Sequence, residues 1–171
     1  MKRHIVLLGL PGAGKTTVGK LLAERLGAPF VDLDAVIVRR MQMPVSRIFG
    51  EHGESKFRVF EAEAMKQALT GSPSVIAPGG GWAAQPNAME EARSTCLLVY
   101  LKTMALSAAK RAADGTRPLL VGEDPVEHMR QILKEREPFY HLADCEIKTD
   151  VKSPAAIADE IAQLAQVQAG W

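Results

Sequence analysis

The chain has 171 residues, of which 47% are apolar and 24% are charged, and its 21 basic and 20 acidic residues leave a net charge of +1. A chain of this size fits one domain with a sizeable core, and its composition excludes disorder, collagen and coiled coils. Because the charges nearly balance, there is no global field to attract nucleic acid or a membrane surface, and we expect any anion site to be a local cluster.

The cysteines and the apolar runs indicate the cellular compartment of the protein. Cys96 and Cys145 are the two cysteines, and each adjoins an apolar segment, which favours reduced thiols over a disulfide framework. No run approaches the roughly eighteen apolar residues of a membrane span, and the run at residues 5–9 is too short for the core of a secretory signal. We therefore expect one cytoplasmic domain over residues 1–171, with no nucleic-acid or membrane partner.

Short apolar runs alternate with longer segments of helical period along the chain. The runs cover residues 4–9, 29–33, 74–77, 96–102 and 146–149. This alternation is typical of βαβ units, and it predicts an α/β fold in which helices cover both faces of a parallel sheet.

Several predicted helices have clear end signals. The apolar stripe from Val18 to Leu26 is followed by Gly27, which suits a left-handed C-cap. Asp124 and Ser153 each precede a proline at a helix start and are expected N-caps. The last four residues, QAGW, are expected to fray.

The strongest motif is GLPGAGKTT, residues 9–17, which fits GxxxxGK[ST] between the first predicted strand and the first predicted helix. Its glycines let backbone amides surround phosphate oxygens, and the helix N-terminus adds partial positive charge. Lys15 would reach the terminal phosphates of ATP, and the Thr16 hydroxyl would bind Mg²⁺. A plain Gly-Pro turn before a helix would not require the lysine and the threonine. The candidate nucleotide-binding residues are Gly12, Ala13, Gly14, Lys15, Thr16 and Thr17.

This loop occurs in switching GTPases, ATPase motors and small kinases. The length argues against motors, which need further arms or subunit contacts, and favours a small-metabolite or nucleotide kinase. A noncatalytic nucleotide-binding sensor is an alternative from another class, although the intact Lys15 and Thr16 argue against it.

Asp32 and Asp34 stand at the end of the second apolar run, in FVDLD. If the strand continues through both, their side chains share one face while Leu33 faces away. Such a pair suits one task at a metal and one at a substrate. The alternative is an Asp-rich turn that caps the next helix.

Two arginines lie beside apolar helical stripes. Arg58 flanks a stripe formed by Phe57, Phe60, Ala64 and Ala68, and Arg136 continues the face of Val126, Met129 and Leu133. Two planar guanidinium groups suit bidentate binding of a small carboxylic acid. The alternatives are a surface ion pair of Arg58 with Glu54 or Glu61, and for Arg136 a cation favoured near the helix C-terminus before Pro138.

Two glycine-rich segments complete the set. Gly79, Gly80 and Gly81 follow the third apolar run, where open α/β sheets bind ligands and where a chain without Cβ atoms lets a substrate approach the backbone. DGTRPLLVGE brackets Arg117 with two glycines, as expected of a lid that closes over ATP. A flexible turn and an ordinary exposed loop are the respective alternatives.

Taken together, these motifs resemble shikimate kinase. GLPGAGKTT, FVDLD, GESKFRVFEAEA, APGGGW, TRPLL and REPFYHLAD occur in the family's order over roughly residues 3–150. The resemblance implies a three-layer P-loop kinase of the nucleoside-monophosphate-kinase type. Its five-stranded parallel sheet would have the order 2-3-1-4-5, flanked by helices, with a mobile lid at about residues 112–123. It also implies an enzyme that transfers the γ-phosphoryl group of ATP to the 3-hydroxyl of shikimate, in chorismate and aromatic amino acid biosynthesis. We further expect the enzyme to be a monomer.

The resemblance also implies roles for individual residues. Asp34 would bind the acceptor hydroxyls and act as base, and Asp32 would hold Mg²⁺ through water beside Thr16. The shikimate would be held by Arg58, Arg136, Gly79, Gly80 and Gly81. Arg117 would contact the phosphates, so the catalytic candidates are Asp34, Lys15 and Arg117.

The sequence departs from the family pattern at several points. Trp82 follows the glycine triplet where the family commonly has a small residue, and a bulky indole there is expected to line or narrow the acceptor pocket. Either Lys110 or Arg111 takes the place of the arginine that meets adenine. Gluconate, another polyhydroxy acid, is the alternative acceptor.

Overall fold

The computed structural model describes residues 1–112 and 124–171. Arg117 and the predicted lid, apart from Ala112, lie outside these described residues. Within them, five strands alternate with seven α-helices. The strands are β1 (His4–Leu8), β2 (Phe30–Asp32), β3 (Val75–Ala77), β4 (Cys96–Lys102) and β5 (Cys145–Lys148). The helices are α1 (Lys15–Leu26), α2 (Leu33–Met41), α3 (Val45–Thr70), α4 (Ala88–Arg93), α5 (Ala105–Ala112), α6 (Pro125–Tyr140) and α7 (Pro154–Gln168).

The strands form one parallel sheet in the order β2-β3-β1-β4-β5, which confirms the predicted fold class and sheet order. In β1, alternate side chains enter different cores. Ile5 and Leu7 pack in a cluster with residues of α1 and α7, whereas Val6 and Leu8 pack in a cluster with residues of α2, α3 and α6. The buried strand therefore reads as a continuous apolar run, since helices cover both of its faces.

The predicted helix ends are largely confirmed. Gly27 adopts the left-handed conformation after α1, with φ of 61°. The carboxylate of Asp124 accepts a hydrogen bond from the Val126 amide, and the hydroxyl of Ser153 accepts one from the Ala156 amide. These side chains satisfy amides that have no acceptor within their own helix.

Two local predictions were wrong. The strand does not continue through Asp34, because β2 ends at Asp32 and α2 begins at Leu33. The segment 168–171 does not fray: the amide of Arg3 donates to the carbonyl of Ala169, and the indole of Trp171 donates to the carbonyl of Arg3. Across the described ranges, the helices are too short or too polar to cross a membrane.

Candidate active site

The phosphate loop lies between β1 and α1, at the carboxyl edge of the sheet. Gly12 and Gly14 have φ of 82° and 94°, a region that glycine enters without a Cβ penalty. Gly14 is the N-cap of α1; since it has no side chain, it leaves the first-turn amides available to an anion. The Lys15 ammonium is buried and donates to the carbonyls of Gly9 and Leu10, at 2.7 and 2.9 Å. The loop thus presents amides and one ammonium at the same point.

The two aspartates have different local structures. Asp32 is the N-cap of α2 and accepts a hydrogen bond from the Ala35 amide at 3.2 Å. Its other carboxylate oxygen accepts a hydrogen bond from the Thr16 hydroxyl at 3.3 Å. Asp34 lies in the first turn of α2. Asp32 therefore caps the next helix, as the alternative interpretation predicted, and it also contacts the phosphate loop.

The Thr16 and Asp32 pair offers two oxygen ligands beside the phosphate loop. Mg²⁺ commonly takes one or two protein oxygens and completes its coordination with water and substrate phosphates. Among the described residues, no group of three or more His, Cys, Asp or Glu side chains is placed to hold a metal. The donor set therefore fits a magnesium ion that is shared with a nucleotide, not a cation held by protein ligands alone.

The glycine triplet after β3 is where the remaining candidates meet. A Cβ built on Gly79 would lie 2.6 Å from Oε2 of Glu61 and 3.3 Å from Oδ1 of Asp34. A Cβ on Gly80 would lie 2.8 Å from Nη1 of Arg136, and one on Gly81 would overlap the Arg58 guanidinium. Because charged groups from α2, α3 and α6 approach this backbone so closely, side chains at the three positions would displace them.

Gly80 also joins the triplet to the phosphate loop. Its built Cβ would lie 3.1 Å from Cδ of Pro11 and 3.2 Å from the carbonyl oxygen of Gly9. This proximity follows from the sheet order, since β1 and β3 are neighbours and their following loops leave the same edge. The structure therefore brings together Lys15, Asp34, Arg58, Arg136 and the triplet.

Arg58 and Glu61 form a largely buried ion pair. Nη1 of Arg58 donates to Oε1 of Glu61 at 2.9 Å, and Nη2 donates to Oε1 of Glu54 at 3.3 Å. The Glu61 side chain is 0% exposed and that of Arg58 15%. Burial raises the pKa of Glu61, the Arg58 guanidinium lowers it in opposition, and the nearby charge of Asp34 raises it further. The ion-pair alternative for Arg58 is thus correct, although the pair is not on the surface.

Arg136 lies inside α6, because the helix continues through Pro138 to Tyr140. The alternative of a cation near a helix C-terminus before Pro138 was therefore wrong about where the helix ends. A proline in a helix lacks one hydrogen-bond donor and crowds the preceding turn, so contacts beyond it must hold the last turn. The Tyr140 hydroxyl donates to the carbonyl of Gly80.

The other predicted residues are Trp82, the pair Lys110 and Arg111, and Arg117. Trp82 is buried in a short 3-10 turn, Trp82–Ala84, and it lines a groove of about 740 Å³ between α3 and α4 that Arg58 also borders. Lys110 and Arg111 are both exposed near the end of α5, and the choice between them for adenine stays open. Arg117 belongs to the undescribed stretch.

Sequence reasoning did not include Glu61 or Tyr140 among the site residues. Glu61 had a usable signal: it interrupts the stripe of α3 that buries Phe57, Ala64 and Met65, and a carboxylate on a buried face needs a partner. Tyr140 had no comparable signal, since an aromatic residue at a helix end most often belongs to the core.

Comparisons with known proteins agree over nearly the whole chain. A sequence model described as "Shikimate kinase" matches residues 11–166. The shikimate kinase of Moorella thermoacetica is 43% identical over 162 residues, which cover 94% of this chain and 93% of the relative.

Solved structures give the same result. Shikimate kinase from Acinetobacter baumannii, crystallised in complex with shikimate, superposes with a TM-score of 0.92 at 36% identity, covering 98% of this chain and 94% of that one. A gluconokinase from Sinorhizobium meliloti covers 99% of this chain and 94% of its own, with a TM-score of 0.66 at 20% identity. The latter likeness shows a shared fold alone.

Proposed function

The chain belongs to the shikimate kinase family, and from its site geometry we propose how it transfers the γ-phosphoryl group of ATP to the 3-hydroxyl of shikimate. It is an ATP-dependent phosphotransferase of aromatic amino acid biosynthesis. One observation carries the proposal. Asp34, Arg58 and Arg136 converge on the glycine triplet, and Gly80 of that triplet touches the phosphate loop.

The acceptor acid is held by two guanidinium groups. Arg58 lies against Gly81 and Arg136 against Gly80, so two planar cations flank a backbone that carries no side chains. A small carboxylate can accept paired hydrogen bonds from such groups, which fixes its orientation as well as its position. Glu61 holds Arg58 from the helix side through the 2.9 Å bond.

Asp34 aligns the reacting hydroxyl and accepts its proton. Its carboxylate lies beside Gly79, next to the backbone that the arginines flank. Phosphoryl transfer asks little covalent chemistry of the protein, so a positioned carboxylate and neutralisation of the phosphate charge supply the catalysis. Asp32 takes no part in that proton transfer, since it caps α2 and meets Thr16.

The nucleotide end is held by the loop of residues 12–17. Lys15 and the first-turn amides of α1 bind the β- and γ-phosphates, and Arg117, which lies outside the described residues, stays a predicted phosphate contact. Thr16 and Asp32 would hold Mg²⁺, which would neutralise phosphate charge. Lys110 or Arg111, near the end of α5, meets the adenine.

We keep the expectation of a monomeric cytoplasmic enzyme as a prediction. Cys96 is buried, Cys145 is partly buried, and both are free thiols, which supports a reducing compartment.

The test is an acceptor panel. ADP release from MgATP is measured with no acceptor, and then with shikimate, gluconate or AMP, and Lys15→Ala serves as the control for phosphate handling. We expect release with shikimate alone, at a rate that falls sharply in the Lys15→Ala variant. Preference for gluconate or AMP would contradict the acceptor assignment, and release independent of any acceptor would contradict the proposed site.

A further inference from the structure

Two buried tyrosines stack beside the glycine triplet. Tyr100 of β4 and Tyr140 of α6 are each 1% exposed, and their rings lie 5.0 Å apart at an interplanar angle of 26°. Their hydroxyls bond to different parts of the protein. That of Tyr100 donates to Oε2 of Glu137 at 2.9 Å, whereas that of Tyr140 donates to the carbonyl of Gly80. Only the second bond reaches the backbone to which we assign shikimate.

The bonded carbonyl belongs to the residue that contacts both halves of the site. A Cβ built on Gly80 would lie within 3.2 Å of Arg136, Pro11 and Gly9, so the substrate arginine and the phosphate loop both approach this residue. Glycine has the widest conformational freedom of any residue, and three in succession offer no side chains that could fix their peptide planes by packing. The Gly79 carbonyl accepts a hydrogen bond from the Trp82 amide at 3.1 Å, and the Gly81 carbonyl accepts one from the Gln85 side chain at 3.1 Å. The buried Tyr140 hydroxyl adds the hydrogen bond to the carbonyl between them.

The geometry of the peptide group passes this constraint to the next residue. In a planar trans peptide the N–H points opposite to the C=O, so fixing the Gly80 carbonyl toward Tyr140 directs the Gly81 amide to the opposite side. Gly81 is the residue that the Arg58 guanidinium approaches. The bond of Tyr140 thus determines the backbone orientation at the point where both arginines approach.

The hydroxyl remains a donor at working pH. Burial raises the pKa of Tyr140 to about 12, although the nearby Arg136 and Arg58 guanidinium groups act to lower it. The phenol therefore keeps its proton throughout the neutral range.

We propose that Tyr140 is a positioning residue for shikimate, because its hydroxyl fixes the Gly80 peptide beside Arg136 and the phosphate loop. This inference rests on the proposed assignment of Arg136 and the triplet to the shikimate site. The residue acts through the backbone and does not itself touch a reacting atom.

The stack provides a matched control. Tyr140→Phe and Tyr100→Phe each remove one buried hydroxyl from the same ring pair and keep the ring. Steady-state KM and kcat are measured for shikimate and for MgATP separately, with thermal unfolding of each variant and a titration of shikimate in the absence of nucleotide. For Tyr140→Phe we expect shikimate KM and the titrated Kd to rise about three- to tenfold, the range of one lost hydrogen bond, while MgATP KM stays within about twofold. Tyr100→Phe should leave both KM values within about twofold.

Equal effects of the two variants would overturn the inference, as would a Tyr140→Phe effect shared by both substrates or no effect at all. If Tyr140→Phe fails to fold, the shikimate Kd of Tyr140→Trp and Tyr140→Leu decides in its place, and a Kd equal to that of the parent overturns the inference. Arg136→Ala separates this inference from the site assignment. A shikimate KM unchanged by Arg136→Ala would remove the assignment and the inference with it. A raised KM there, with no selective effect of Tyr140→Phe, would remove the inference alone.

Discussion

Asp34 stands in the first turn of α2, close to Gly79 and to the buried carboxylate of Glu61. This position separates it from Asp32, whose oxygens serve the α2 cap and the Thr16 hydroxyl. The two carboxylates are two residues apart in sequence, yet they face different partners because the strand gives way to a helix between them.

From this difference we expect Asp34→Asn to lower kcat far more than it changes KM for ATP. Removing a positioned base costs about 10²- to 10⁴-fold, and the amide keeps the shape of the carboxylate. Steady-state kinetics with each substrate varied in turn measure this. An equal loss in kcat and in ATP affinity would contradict the role of base.

Glu61 gives a second expectation, about stability. In the folded state the pKa of Glu61 is raised above its ordinary value of 4.5, chiefly by burial. In the window from about pH 4.5 up to the raised value, the folded state binds more protons than the unfolded state. The contribution of this group is therefore complete below that window and is lost as the pH rises through the folded pKa.

We accordingly expect Glu61→Gln to flatten the fall in the free energy of unfolding as the pH rises from about 4.5 toward neutrality. Urea denaturation at a series of pH values measures the slope. Glu54→Gln is the matched control, because Glu54 is the other carboxylate bonded to Arg58 and is 68% exposed. A slope unchanged by Glu61→Gln, or changed equally by both variants, would count against the assignment.

At the scale of the element, the backbone of α3 is interrupted just before the turns that carry Arg58 and Glu61. Gly53 has φ of 78° and ψ of 166° inside the helix Val45–Thr70, in a region that is essentially restricted to glycine. Gly50, one turn earlier, lies in the helical run and is also exposed. Among the described residues, no atom beyond the adjacent backbone lies within 4 Å of a Cβ built on either glycine.

These two glycines should respond to alanine with opposite signs. We expect Gly50→Ala to stabilise the protein by about 0.5–1 kcal/mol, since alanine favours the helix. Gly53→Ala should destabilise it by about 1–3 kcal/mol, since an L residue is strained in that conformation. Chemical denaturation measures both, and stabilisation by Gly53→Ala would show that the break is not required.

Some of these elements, and some of their ends, could be predicted from the sequence. The motif GLPGAGKTT and the alternation of apolar runs depend on local pattern, and the loop, the strands and the caps at Asp124 and Ser153 were predicted from them. The sheet order came from the family resemblance. The passage of α6 through Pro138 was not predicted, since local propensity favours a stop there. The break at Gly53 was not predicted either, although the low helix propensity of glycine is compatible with it.

Residues whose role depends on tertiary contact were the hardest to foresee. The sequence placed Arg58 on the flank of a helix, but it did not show that Arg58 would pair with a buried Glu61 carboxylate. Nor could a pattern show that the Tyr140 hydroxyl meets Gly80, because that bond joins residues sixty positions apart. Asp32 caps α2 and also accepts a hydrogen bond from Thr16, whereas sequence reasoning had weighed the cap and a site role as alternatives.

At the scale of the whole molecule, the sheet has two functionally different edges. The segments that follow β1, β2 and β3 leave the carboxyl edge, and they carry Lys15, Asp34 and the glycine triplet. Residues 169–171 lie at the opposite edge, where they pack beside the residues that precede β1. There the Trp171 indole donates to the Arg3 carbonyl at 2.9 Å and lies 4.5 Å from the Lys2 ammonium.

This separation predicts that stability and catalysis can be changed independently. We expect Trp171→Ala to lower the free energy of unfolding by about 1–3 kcal/mol, because it removes a partly buried ring and its hydrogen bond. KM and kcat for both substrates should stay unchanged, since the ring lies at the edge of the sheet away from the phosphate loop. Val167→Ala is the control, because Val167 is on the same segment and 85% exposed. Denaturation and kinetics on the three proteins measure both effects. A Trp171→Ala variant as stable as the Val167→Ala variant would mean that the segment contributes nothing to the fold, and a changed shikimate KM would mean that the two edges are coupled through β1.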